Sequence, residues 1–221
     1  MNVLADIPFR LDEPAFLRLT HLDSLAEVRG LVDRVRATAR PKAAYKVCYI
    51  DERSADTVQI EGRVFASEVL VRNLEAVERV FPYVATCGTE LESLEEASAD
   101  LFTRYCLDVL KELVLGAART FLLEHLRTAY GAIRLSSMNP GSGDARLWPL
   151  GQQRPLFGLL GDVEQAVGVR LTPSLLMQPN KSVSGIFFPS EVHFESCQMC
   201  TREGCPRRRA LYSGEPTLTH P

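Results

Sequence analysis

The chain has 221 residues, a formal net charge of −3 and 46% apolar residues. A chain of that size and apolar share builds one large domain or two small ones around a core that needs no staples. Its slight negative charge excludes nucleic-acid binding by bulk electrostatics. No apolar run approaches the ~18 residues that cross a bilayer. The start, MNVLADIPFRLDEP, carries acids and a proline where a secretory signal needs a basic flank and an apolar run. A cytoplasmic protein is therefore expected, in a compartment that keeps thiols reduced. Cys48, Cys87 and Cys106 each stand singly among apolar neighbours and are expected to act as small core hydrophobes.

SLAEVRGLVDRVRATARP, residues 24–41, predicts a helix. Ser24 with Glu27 fits a capping box, Leu25, Val28, Leu31, Val32 and Val35 form one apolar face, and Pro41 ends the segment. AYKVCYI and TVQIEG are β-rich, and the polar DERSAD between them predicts a hairpin. A short helix is expected around SEVLVRNLEAVE. RVFPYVAT reads as a strand in which Pro82 points to an edge or a bulge.

Thr89 with Glu92 fits a second capping box. From Leu94 to Gly131 apolar residues then recur at helical spacing, which predicts two consecutive helices or one broken helix, largely buried. RLSSMNPGSGDARLWP, residues 134–149, holds glycine, proline, serine and asparagine and reads as a long loop of the functional kind. QQRPLFGLLGDVEQAVG returns to helix. VRLTPSLLM and SVSGIFF read as strands joined by the turn QPNK. Strands before and after a central helical block predict an α+β fold, with a mainly antiparallel twisted sheet and a long central helical segment.

The end of the chain carries CQMCTREGC, residues 197–205, followed by Arg207, Arg208 and Arg209. Cys197-x-x-Cys200 has a chelate bite, Cys205 adds a third thiolate, and His193 can close a tetrahedral zinc site. Three thiolates also suit an iron–sulfur cluster with one position open or filled from elsewhere. A redox-active dithiol and unbound thiols remain alternatives. A nucleic-acid knuckle needs a histidine after its second cysteine, and none stands between Cys200 and Cys205. The arginines read as a solvated tail or as a dock for an acidic partner. No internal repeat, Ser-His-Asp set, phosphate loop or dinucleotide fingerprint is visible.

One stretch carries a resemblance. GVRLTPSLLMQPNKSVSGIFF, residues 168–188, is similar to the C-terminal activation domain of cobalamin-dependent methionine synthase. Gly168, Leu171, Thr172 and Ser174 follow that family's Gly-x-x-Leu-Thr-x-Ser segment. Pro179 matches its turn, and Ser182, Val183, Ser184 and Gly185 match its Ser-Val-Ser-Gly. The preceding helix, with Leu159, Leu160, Val163 and Glu164, also resembles the family's. The match is specific over 134–188, reaches back to about residue 97, and is loose over the first ninety residues. It implies an activation-domain-like domain over 1–192, followed by a Cys- and Arg-rich segment over 193–221. Methyltransferase barrels and a cobalamin-binding module are missing from the sequence, so a free-standing protein is expected.

The resemblance implies that the chain binds S-adenosylmethionine over a corrin and, with one electron, restores methylcobalt from inert Co(II). The cobalamin is then presented by a separate corrinoid protein, or by a methionine synthase lacking its own activation domain. The electron comes from a flavodoxin- or ferredoxin-type reductant, and neither nucleic acid nor membrane is a partner.

Arg134 stands where the family's Arg-x-x-x-Gly-Tyr arginine holds the ligand carboxylate, a pairing that a guanidinium makes with two parallel hydrogen bonds. Pro140 and Gly141 resemble the family's Pro-Gly but lie three residues farther from that arginine, and Ser142 replaces the tyrosine. Thr120 aligns with the family's glutamate, and Glu124 follows one turn later. Phe194 is the nearest match to an aromatic that contacts ligand. Ser182 and Ser184 share one strand face that lines a cleft or meets water. Trp148 covers a corrin or an adenine, or plugs the core. The resemblance gives the cysteines no role. The competing expectation is a metal-bearing interaction module on the same fold that has lost the ligand.

Overall fold

The computed structural model describes residues 1–96, 100–131, 134–144, 147–191, 194–205, 208 and 210–214. Ten strands follow in chain order: β1 (Asn2–Leu4), β2 (Lys42–Tyr45), β3 (Cys48–Arg53), β4 (Thr57–Ile60), β5 (Arg63–Ala66), β6 (Arg79–Thr86), β7 (Leu135–Met138), β8 (Arg170–Leu171), β9 (Met177–Gln178) and β10 (Ser182–Pro189). The helices are α1 (Glu13–Thr20), α2 (Arg29–Thr38), α3 (Glu68–Asn73), α4 (Glu92–Glu96), α5 (Leu101–Tyr130), α6 (Gln153–Leu160) and α7 (Val163–Val167). Every strand pairing is antiparallel among the described residues. The α+β fold with its long central helix is thus as expected. No described helix is long and apolar enough to cross a membrane.

β6 is the centre of the eight-stranded sheet. One edge carries β10, and β7 lies outside β10. The other edge is shared: β2 pairs with Tyr83–Thr86 and β3 with Arg79 and Val80. Pro82 therefore sits in a central strand in unbroken register with β10, and not at the expected edge or bulge. Its carbonyl accepts from Lys46 N–H (3.0 Å), on the side where the chain passes from β2 to β3. In a strand a residue's nitrogen and carbonyl face the same side, so the N–H that proline lacks falls at a break in the ladder.

Alternation along β6 gives the molecule two buried layers. Phe81, Tyr83 and Ala85 meet Ala118, Leu122 and Leu126 of α5 on one face. Val80 and Val84 meet Leu156, Leu159 and Leu160 of α6 and Val163 and Val167 of α7 on the other. The first turns of α5 instead pack Cys106, Leu107, Leu110 and Val114 against Phe16 of α1 and Leu31, Val32 and Val35 of α2. Each valine, leucine or phenylalanine among them contributes roughly 1.5–3 kcal/mol on leaving water.

The element boundaries differ from the expected ones in physical ways. The expected apolar face over Leu25–Val35 is buried, but the helix proper starts at Arg29, after one 3-10 turn over Ala26–Val28. Its N-cap is Val28, without a side-chain cap bond, so the Ser24–Glu27 box is not formed. Ser24 Oγ instead accepts from Ala26 N–H (3.3 Å). The long helical signal is two helices, with Asp100 capping α5 by accepting from Thr103 N–H (2.8 Å) and Gly131 closing it at φ 64°. LSSM, expected inside a loop, is the buried strand β7. The next helical stretch breaks at Gly161 (φ 97°), and VRLTPSLLM, expected as one strand, holds β8 and the first residue of β9, which pair with each other.

Candidate functional site

β7 covers only part of β10. Their register runs from Met138↔Ile186 to Leu135↔Pro189, so the outer edge of Ser182–Gly185 has no strand partner among the described residues. Asn139 fills this gap. Its Nδ2 donates to the Ser184 carbonyl (2.7 Å) and to the Tyr83 hydroxyl (2.8 Å). Gly185 makes the approach possible, because a Cβ there would run into the Met138 carbonyl and the Asn139 amide. Pro140 is buried, and Gly141 (φ 74°) donates its N–H to the Trp148 carbonyl (2.8 Å). Ser142 N–H returns to the Asn139 carbonyl (3.1 Å). These bonds hold Asn139–Ser142 as a tight turn at the end of β7.

On the α5 side of this edge lies a polar and aromatic group. Half-buried Arg119 donates from Nη2 to Ser137 Oγ (2.9 Å), and its guanidinium sits 5.6 Å from the Phe187 ring centre. Phe187 stacks on Tyr83 at 4.2 Å and 20°. At the start of β10, Lys181 pairs with Asp108 (2.8 Å) and Glu112 (3.6 Å), both on α5. The open edge of β10 therefore faces a helix stripe that runs from acids to an arginine. With Tyr83 and Phe187 buried, the group at this edge that can meet an anionic ligand is the guanidinium of Arg119.

The expected site residues separate. Pro140, Gly141 and Ser142 share the turn just described. Arg134 stands at the opposite end of β7, exposed, with Nη1 donating to the Glu191 carbonyl (3.0 Å). Glu124 is exposed and paired with Arg127 (2.9 Å), and Thr120 is exposed. Ser182 and Ser184 do share a face, but it is the face turned to α6 and α7. Ser182 Oγ donates to the Pro179 carbonyl (2.8 Å) and is hydrogen-bonded with Thr86 Oγ1 (2.9 Å). The buried Ser184 Oγ has no partner among the described residues. Phe194 belongs to the core on that same face, its N–H held by Ser136 Oγ (2.9 Å). Trp148 plugs the core, edge-on to Phe65 at 6.2 Å.

Sequence reasoning missed Arg119, Ser137, Asn139 and Tyr83. A signal for the second existed: counting four residues back from Gly141, as in Arg-x-x-x-Gly, reaches Ser137 and not Arg134. The helix-borne guanidinium of Arg119 touches that serine.

The cysteines fall into two classes. Cys48, Cys87 and Cys106 are fully buried, as expected. Loss of hydration pushes the Cys48 and Cys87 thiols up to about 12 and raises Cys106 as well, so these thiols stay protonated and inert. Cys197, Cys200 and Cys205 are half-buried around a 3-10 turn over Ser196–Met199. Three thiolates suit zinc or an iron–sulfur cluster chemically. Among the described residues, however, no three His, Cys, Asp or Glu side chains are gathered so as to hold a metal, and His193 lies outside those residues.

What organises this segment is Arg208. Its Nη1 donates to the carbonyls of Cys197 (3.0 Å) and Ala210 (3.3 Å), and its Nη2 to those of Cys200 (3.0 Å) and Arg202. Arg207 and Arg209 lie outside the described residues. The segment lies against the site turn, since a Cβ on Gly143 would come within 3.3 Å of the Ser196 carbonyl and 3.6 Å of Cys200 Cβ.

No protein-family model and no curated protein matches the sequence. Among solved structures, the chain is similar to the crystal structure of the MetH reactivation domain bound to AdoHcy. The two are 17% identical, with a TM-score of 0.66 over 89% of this chain and 81% of that one. The chain has the fold of that reactivation domain, with a mixed set of helices, a curled antiparallel sheet and a long central helix.

Proposed function

We propose that this protein is a free-standing reactivation module that binds S-adenosylmethionine and supports the reductive methylation of cobalt on a separate corrinoid protein. One electron takes Co(II) to Co(I). The Co(I) lone pair then takes the methyl group from the sulfonium, leaving S-adenosylhomocysteine. The electron donor is a flavodoxin- or ferredoxin-type protein, and the corrinoid partner is a methyltransferase or a methionine synthase without its own activation domain. The module's own part is to position the sulfonium and exclude water.

The observation that carries this reading is the likeness, over most of both chains, to a reactivation domain whose structure holds AdoHcy. Half-buried Arg119, held at Ser137 two residues before the Asn139–Ser142 turn, supports it as a cation to which a ligand carboxylate can pair. Calorimetric titration of anaerobically purified protein with S-adenosylmethionine should give saturable one-site binding. Absence of heat at the highest soluble ligand concentration would sink the reading.

A second reading is favoured by Arg208, whose guanidinium holds the carbonyls of Cys197 and Cys200 in the segment that lies against the site turn. In it the chain is a metal-bearing interaction module. Anaerobically isolated protein should then carry stoichiometric zinc or iron, and Cys200→Ser should release it. Metal-free protein from that preparation removes this reading.

A further inference from the structure

Arg119 is a half-buried cation with no carboxylate within ion-pair distance among the described residues. The other charged side chains of α5 on this side are matched: Asp108 and Glu112 by Lys181, and Lys111 by Glu95 (2.6 Å). Among the described residues its hydrogen bond goes to a neutral hydroxyl, Ser137 Oγ, and its guanidinium lies over the Phe187 ring. A guanidinium has five N–H donors in a fixed fork, and this arrangement leaves most of them unused. Taking a charge partly out of water without a counter-ion is unfavourable, and a ring face offsets only about 1 kcal/mol of it. The surroundings hold the fork still. Phe187 is braced by Tyr83, and Tyr83 by Asn139, which also caps the open edge of β10. Arg134, by contrast, is exposed and directs a guanidinium nitrogen at the Glu191 carbonyl.

We infer that Arg119, oriented by Ser137 and Phe187, grips the carboxylate of the amino-acid end of the bound sulfonium ligand. The guanidinium thus reaches the site from the helix and not from the loop. The inference rests on the proposed ligand and names its anchoring residue.

The test is calorimetry on the full chain with two ligands: S-adenosylmethionine, and 5′-methylthioadenosine, which keeps the nucleoside and sulfur but lacks the amino-acid end. Wild type, Arg119→Met, Arg119→Lys and Arg134→Met are compared after thermal melts confirm folding. Arg119→Met should weaken S-adenosylmethionine by about 10-fold or more, the scale of a charge-assisted forked pair, and leave methylthioadenosine unchanged. Arg119→Lys should recover part of the loss. Unchanged S-adenosylmethionine affinity in Arg119→Met, equal loss of both ligands, or a loss that follows Arg134→Met instead would each overturn the inference. A wild-type protein that takes neither ligand fails differently: it overturns the proposed ligand itself, and this assignment with it.

Discussion

Gly185 is held by its neighbours and not by its torsion angles. The Met138 carbonyl and the Asn139 amide occupy the space a Cβ would need. Gly185→Ala should therefore destabilise the protein by about 2 kcal/mol through overpacking, read as a lower urea midpoint. The glycine was legible in the sequence as part of Ser-Val-Ser-Gly. Its reason was not, because both crowding groups come from a stretch forty-odd residues earlier. Arg119 is the converse case. Nothing in LGAARTFLLEHL marks one arginine as special until β7 brings Ser137 against it.

Buried thiols give a second prediction at this scale. Desolvation raises the folded-state values of Cys48 and Cys87 to about 12 from an ordinary 9.0. A raised folded value means the unfolded chain releases its proton first. The contribution is complete below pH 9.0 and is lost as pH rises toward 12. Urea melts should thus show falling stability from pH 8.5 to pH 10.5, roughly, and Cys87→Ala should flatten the slope. A profile independent of both cysteines over that range refutes the assignment.

At the scale of elements, α4 is tied to α5 by a buried cation. Lys111 is 2% exposed and its partner Glu95 is 53% exposed. Breaking such a pair from the acid side strands the charge, whereas replacing the lysine by an apolar chain removes the burden. Glu95→Ala should cost about 2 kcal/mol, less than a fully buried pair because water reaches the carboxylate, and Lys111→Met should cost less than Glu95→Ala. Ser67 makes a comparable local joint. It caps α3 by accepting from Leu70 N–H (3.0 Å) and donates to the Leu147 carbonyl. Ser67→Ala should cost about 2 kcal/mol in a thermal or urea melt, since both a cap and a buried carbonyl lose their partner.

The helices with strong local signals were readable: the apolar face of α2, and α5 up to Gly131. β7 was not, because its two serines read as loop. They are tolerated in a buried strand because Ser136 serves Phe194 N–H and Ser137 serves Arg119. Those partners lie far off in sequence, where no periodicity can show them.

For the whole molecule, the end of the chain is part of the core account. Phe194 is 4% exposed and joins the cluster beneath α6 and α7. Phe194→Ala should cost about 3 kcal/mol and loosen the cysteine segment, seen as faster proteolysis after residue 190. Ligand binding should act in the opposite direction. At 100 times its dissociation constant, S-adenosylmethionine should stabilise the fold by about 2.7 kcal/mol, read as a higher melting temperature. An unmoved melting temperature under those conditions contradicts binding to the native state.

The sequence by itself determined the helices α2 and α5 and the strands β6 and β10, the apolar faces, the buried class of Cys48, Cys87 and Cys106, and the likeness over residues 168–188. These depend on patterns within a few turns or strand repeats, and such patterns are carried by neighbours in the chain. Only the tertiary structure decided that Pro82 lies in the central strand and that Ser182 and Ser184 face inward. It alone set Arg119, and not Arg134, beside the open edge of β10. The physical reason is that each of these depends on pairing register between strands distant in sequence. A register is chosen by the burial of a whole face at once, and no single residue announces it.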